Sequence, residues 1–261
     1  MCNFTVVVPI YNEAQRLAFF LRSIPNDVPV LLLNKGSNDE SILIAKTFDN
    51  VQILNLPFGP PSSEFSHLRE IKDQLSTEWC LMLVVSQTLD LSLFCRIKEI
   101  IKDNQNDVIE LPFRNYTFGM YEEYNPWPST THKPLLSKVK VINFQPRVHQ
   151  ELIFKSNKVA KLGDEFGRVH HNSNINLESF IEKSLNYARQ EADEYRRLNI
   201  RHPGTSRPLR YILKSLINGY LRRKLTVFRG QRGILLGTAF VLTQLLILLF
   251  VTYGNKDDDA G

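Results

Sequence analysis

The sequence predicts an α/β fold: a mostly parallel sheet with helices on its faces, followed by a helical tail that is first basic and then apolar. Three observations predict it. Four short, continuously apolar runs recur in the first 85 residues, as strands buried on both faces should. Segments with helical spacing separate them. A run of 21 uncharged residues closes the ordered pattern at Gly233–Tyr253.

The strands are expected at Thr5–Ile10 (TVVVPI), Val28–Leu33 (VPVLLL), Val51–Leu56 (VQILNL) and Trp79–Val85 (WCLMLVV). Between them, Leu17, Phe20, Leu21 and Ile24 predict one helix, Ile42, Ala45 and Phe48 a second, and Phe65, Leu68, Ile71 and Leu75 a third. Ligands of such sheets sit outside the carboxyl ends of the strands. Those ends read Pro9-Ile10-Tyr11-Asn12-Glu13, then Asn34-Lys35-Gly36-Ser37-Asn38-Asp39-Glu40, and Val84-Val85-Ser86-Gln87. Gly36 and Ser37 ahead of Asp39 and Glu40 predict a tight turn and a helix start. Farther on, His170-His171 are expected in a polar loop before a helix with apolar face Leu177, Phe180, Ile181, Leu185 and Ala188. Glu178, Glu182, Glu191, Asp193 and Glu194 are expected on its solvated side.

The formal net charge of +5 averages two unlike parts. Residues 195–233 hold 11 of the 32 Lys and Arg and no acid, leaving 21 basic against 27 acidic residues elsewhere. Such a segment points to an anionic surface. No nucleic-acid reading motif accompanies it and an apolar helix adjoins it, which favours lipid and excludes nucleic acid as the partner. At 1.5 Å per residue the 21-residue run is roughly 31 Å long, close to a hydrocarbon core of about 30 Å. Thirteen of its residues are Leu, Ile, Val or Phe, but Thr243, Gln244 and Thr252 interrupt it. It therefore either spans a bilayer, lies on one, or is a buried core helix. Arg222, Arg223, Lys224, Arg229 and Arg232 precede it, so the large N-terminal part is expected on the cytoplasmic face of the cell membrane.

A length of 261 residues with 43% apolar composition excludes stapled miniature scaffolds and disordered chains. Three cysteines without CxxC or His-paired spacing indicate neither a disulfide framework nor a zinc site, and a reducing compartment fits. The start, MCNFTVVVPIYNEAQR, lacks a basic segment ahead of an apolar stretch, so no signal peptide is expected.

TVVVPIYNEAQRLAFFLRSI, LNKGSNDESILIA and EWCLML together resemble the N-terminal half of family 2 glycosyltransferases. PRVHQELI (146–153) and HHNSNINLESFIEKSLNYARQEA (170–192) extend the resemblance toward a subgroup acting in lipopolysaccharide core or capsule assembly. The resemblance implies the GT-A nucleotide-sugar-binding, Rossmann-like mixed sheet with helices on both faces over residues 1–175, then a helical basic region (176–232) and the apolar helix (233–253). It implies a nucleotide-sugar donor held by Pro9, Tyr11, Asn12, Glu13, Asn34, Gly36, Ser37 and Asp39, with Tyr11 as a stacking surface. Tyr121, Tyr124, Trp127 and His149 become candidate acceptor contacts.

The chain departs from that pattern where the chemistry concentrates. Asn34 replaces the first Asp of the turn, Val84 and Ser86 replace both aspartates of D-x-D, and Gln87 replaces the acid after it. His149 is followed by Gln150 rather than Glu, with Glu151 one residue later. A hard cation wants carboxylate oxygens, so Mg²⁺ or Mn²⁺ binding is not expected. Two accounts stay open. In one, sugar transfer continues without metal and with inversion: Lys35, Arg69 or a cation of 196–232 stabilises the diphosphate, and Glu151 or Asp164 is the base. In the other, catalysis is lost and the protein is a binding or scaffolding subunit at the membrane. A third reading is a membrane-surface protein whose basic segment acts independently of the sheet.

Overall fold

A computed structural model describes residues 3–56, 74–119, 132–143, 153–174, 176–199, 201–222 and 228–253. These fall into two compact units, one drawn from 1–115 and 130–173, the other from 116–129 and 174–261.

The first unit is built on a mixed sheet. Its strands are β1 (Phe4–Ile10), β2 (Val30–Asn34), β3 (Val51–Asn55), β4 (Trp79–Met82), β5 (Gln87–Leu89), β6 (Val108–Thr117), β7 (His132–Lys138), β10 (Val159–Lys161) and β11 (Val169–Asn174). A separate small pair joins β8 (Ile142–Asn143) to β9 (Ile153–Phe154). The main order is β3-β2-β1-β4-β7-β6-β11-β5, with β10 beside β6. β3, β2, β1 and β4 are mutually parallel, whereas β7 runs antiparallel to β4 and β6. The half that recurs as apolar runs in sequence is thus the parallel half.

Alternate residues of β1 serve two cores. Val6, Val8 and Ile10 join Leu17 and Phe20 of α1 (Ala14–Arg22), Ala45 of α2 (Ser41–Ala45) and Phe94 of α3 (Leu91–Ile100). Val7 faces the opposite side with Leu31, Leu33, Met82, Val139 and Ile142. Period-two alternation with both sets apolar is what a doubly covered strand requires. The third expected helix lies outside the described residues apart from Leu75.

β4 is shorter than its apolar run, for a reason in β1. Val7 and its alternate neighbours turn their backbone groups toward β4: the Leu83 amide donates to the Val7 carbonyl at 3.1 Å. The next rung would need an amide at residue 9, and Pro9 has none. The β1–β4 ladder stops there, while β1 stays paired with β2 through Ile10↔Asn34. Pairing between β1 and β4 therefore ends at their carboxyl ends, where the strand order changes direction.

The second unit is helical: α4 (Leu177–Arg197), α5 (Pro203–Ser206), α6 (Pro208–Ile217) and α7 (Gly230–Tyr253), with one wider turn at Asn218–Arg222. The apolar face of α4 differs from the expectation. Phe180, Ser184, Ala188 and Ala192 are buried, whereas Leu177 is 58% and Ile181 39% exposed. The buried set is mostly small because α4 packs along α7, where Ser184 and Thr243 hydroxyls lie 3.4 Å apart and Arg196 donates to the Phe250 carbonyl at 3.0 Å. Tyr211 of α6 donates to Gln244 at 2.9 Å. Gly237 is set closely against Tyr220: a Cβ there would come within 2.6 Å of that ring. Buried His202 receives the Gly204 amide on Nδ1, and burial lowers its pKa.

Candidate functional site

The turns after β1 and β2 are bonded to each other. Asn12, at φ +53°, donates its amide to Ser37 Oγ at 3.1 Å and accepts from the Asn38 amide at 2.9 Å. The Glu13 amide donates to Ser41 Oγ and the Ala14 amide to Asp39 Oδ2, each at 2.9 Å. Asp39 also receives the Ser41 amide at 3.0 Å. Burial pushes the Asp39 carboxyl up, but the Ser41 hydroxyl and the Ala14 and Ser41 amides outweigh it and hold the carboxyl below its ordinary value. Gly36 occupies φ +85°, which glycine reaches without strain.

Several residues expected to meet a nucleotide are therefore engaged with each other. Asn34 is 6% exposed; its amide group donates to Asn55 Oδ1 at 2.8 Å and its oxygen accepts from the Ser37 amide at 2.9 Å. Lys35 is 1% exposed, so it does not present its ammonium to the crevice in this conformation. Glu13 pairs with Arg16 at 2.7 Å. Tyr11 is different: it directly follows β1 and is 37% exposed. Pro9 shapes the opening through its missing amide.

At the β4 end, Gln87 Oε1 accepts from the Val84 amide at 3.2 Å and closes the 84–87 turn on itself. Ser86 presents its carbonyl to the Asn172 amide at 2.9 Å. A divalent cation does not fit this donor set: the Val84 side chain has no ligating atom, and the Val84 carbonyl and Gln87 side-chain oxygen are already hydrogen-bonded. Among the described residues no group of three His, Cys, Asp or Glu gathers anywhere.

His170 and His171 lie in strand β11, not in a loop, with His171 opposite Gln87 and His170 opposite Thr88. His171 Nδ1 donates to Asn115 at 2.8 Å, and His170 Nε2 to Asp90 at 3.0 Å. Asn172 Oδ1 is buried without a hydrogen-bond partner among the described residues. Asp164 sits on the turn Asp164–Phe166, 3.4 Å from Arg168, and its side chain is 59% exposed. That turn is tied to the start of α3, where Asp90 accepts the Arg168 amide at 2.9 Å. Arg69, Tyr121, Tyr124, Trp127, His149 and Glu151 lie outside the described residues.

Ser41, Asn55, Asp90, Asn115 and Asn172 escaped the sequence reading. A usable signal existed for one of them: β2 and β3 both end in Asn, and Asn34 and Asn55 are register partners.

No protein-family model matches the chain, and no curated protein matches it in sequence. Solved structures do. S. aureus TarS (residues 1–349) is similar at 12% identity, with a TM-score of 0.51, over 95% of this chain and 90% of that one. The mannosyltransferase PcManGT from Pyrobaculum calidifontis, solved with GDP-Man and Mn²⁺, gives 0.52 at 11% identity over 97% and 88%. Glucosyl-3-phosphoglycerate synthase from Mycobacterium tuberculosis gives 0.50 at 14% identity over 77% and 82%. These are glycosyltransferases of the GT-A type, and at such identities what the chain shares with them is the fold.

Proposed function

We propose that the protein transfers a sugar from a nucleotide-sugar donor to a glycan or lipid-linked acceptor at the cytoplasmic face of a membrane, in a single inverting displacement. The observation that carries this reading is the parted β1–β4 end, flanked by the interlocked 11–14 and 34–41 turns, in a sheet whose neighbours are GT-A glycosyltransferases. TarS has also been solved with UDP-GlcNAc, and the mannosyltransferase with GDP-Man. Asn172 Oδ1, buried without a hydrogen-bond partner among the described residues, lies beside the 84–87 turn and could accept from a ligand. Tyr11 offers a face for the base. Glu151 and Asp164 are the candidate bases, with Arg69, or Lys35 once uncovered, as the cation for the diphosphate.

One observation favours a second reading, a non-catalytic homologue serving as a membrane-bound binding subunit. The 84–87 turn is closed by bonds between Val84 and Gln87 and carries no carboxylate. Calorimetric titration of UDP- and GDP-sugars, with and without Mg²⁺ or Mn²⁺, tests both. Donor binding independent of metal, with slow donor hydrolysis, supports transfer. Binding without hydrolysis or transfer supports the second reading, and absence of nucleotide binding overturns the first.

A further inference from the structure

Exposed apolar side chains gather in the helical unit in two helical stripes. On α6 they are Leu209, Leu213 and Leu216, exposed by 83%, 58% and 39%, at spacings i, i+4 and i+7. On α7 they are Ile234, Leu242 and Leu249 along nearly its whole length. The α6 stripe is bordered by exposed Arg207, Arg210 and Lys214, themselves spaced i, i+3 and i+7. Residues 195–233 contain no acid, and the one acid shown to act on α6 is Glu191 of α4, beside Tyr211.

α7 is long and apolar enough to cross a bilayer, with a mean hydropathy of 2.6. Its packing argues against crossing. α4 lies along it from Ser184–Thr243 to Arg196–Phe250 and carries Arg189, Glu191 and Asp193 over that length. Inserting α7 across the membrane would drag those charges into hydrocarbon or strip α4 away, and each charge there is strongly unfavourable. Arg229 and Arg232 flank the start of α7, while Arg201 and Arg196, the latter paired with Asp193 at 2.8 Å, line a cleft of about 320 Å³ that reaches Val251 near its end. A helix with cations at its start and one charged, protein-covered side suits the plane of an interface.

We infer that the helical unit is a monotopic dock for an anionic lipid leaflet: the exposed stripes of α6 and α7 enter the interface, the surrounding Arg and Lys meet headgroup phosphates, and no segment crosses. The dock needs no sugar-transfer activity and stands whether or not the crevice binds a nucleotide.

Flotation of the full chain with phosphatidylcholine vesicles, with and without one-quarter phosphatidylglycerol, reads the charge arm. Binding should require the anionic lipid and fall on the order of 100-fold in the exposed-site variant Arg207→Gln/Arg210→Gln/Lys214→Gln, since each cation near such a surface counts for about fivefold. Leu209→Glu/Leu213→Glu should abolish binding while leaving the thermal melt unchanged. Equal binding to neutral vesicles, or full binding by either variant, overturns the inference, as does a dimer that buries the patch and ignores vesicles. Sidedness is read in inside-out membrane vesicles from cells expressing an Ala260→Cys variant. An impermeant maleimide should label both Cys95 and position 260 without detergent. Labelling at position 260 only after detergent would mean that α7 spans, and the inference fails.

Discussion

The Asn12 amide donates to the Ser37 hydroxyl at 3.1 Å across 25 residues of chain, making the turns after β1 and β2 one bonded body. Asn12 also holds φ +53°, a conformation Asn tolerates better than most residues. Asn12→Ala should lose the bond to Asn38 and incur backbone strain, destabilising the protein by about 1–2 kcal/mol. Urea unfolding measures it. A change within 0.3 kcal/mol, roughly that of an ordinary surface site, would show that the two turns are held by something else.

Tyr11→Ala should weaken donor-nucleotide binding by about tenfold, in keeping with 1–3 kcal/mol for base–aromatic stacking. Its melting temperature should match the parent, because the side chain is already 37% exposed. Unchanged affinity would remove Tyr11 from the donor site.

The parallel half of the sheet was readable because strands buried on both faces leave an unbroken apolar record, as VVVPI and VLLLN do. β5 and β11 left none: QTL and VHHNSN are polar, and their pairing is decided by distant partners rather than by local pattern. This is why His170 and His171 read as loop. The site was legible as a set of strand ends but not as a network. Whether Asn34 faces a ligand or Asn55 depends on the register of two strands, which composition does not carry.

Lys138, 4% exposed, sits 2.9 Å from Asp107, with Glu78 farther off at 3.8 Å. Asp107→Asn should therefore cost about 2 kcal/mol by leaving the buried ammonium with the more distant Glu78 as its acidic partner. The Lys138 hydrogen bond, aided by Ser156, holds the Asp107 carboxyl below its ordinary value. Its stabilisation is thus complete above the unfolded carboxyl value near 4 and is lost as pH falls through the lower folded value. Unfolding free energies measured from pH 7 to pH 3 should fall less steeply in the Asn variant than in the parent, and parallel curves would refute the pairing.

Burial pushes the Cys80 thiol up to about 12, whereas Cys95 is exposed. In a Cys2→Ser background, one thiol should react with an aromatic disulfide reagent at pH 8 in the native protein and a second only after unfolding. Two fast equivalents would contradict the burial of Cys80.

Gly167 adopts φ +94°, and a Cβ there would lie 2.7 Å from the Asp90 Cβ and 2.9 Å from Ser92 Oγ. Gly167→Ala should cost more than about 2 kcal/mol. It should also free the Asp164–Phe166 turn from α3, seen as faster amide exchange at Arg168. Exchange as slow as in the parent would show that the turn is anchored elsewhere.

Pro9 ends the β1–β4 ladder by lacking a hydrogen, so the parting of those strands is written into the main chain. The acids that would make such an opening a metal-assisted reaction centre belong to a different layer of the sequence, the side chains of residues 84–87. The main chain thus sets where β1 and β4 stop pairing, and the side chains of residues 84–87 set what that strand end can ligate. A substitution among the latter should alter the chemistry on offer there without moving the point at which the two strands separate in register.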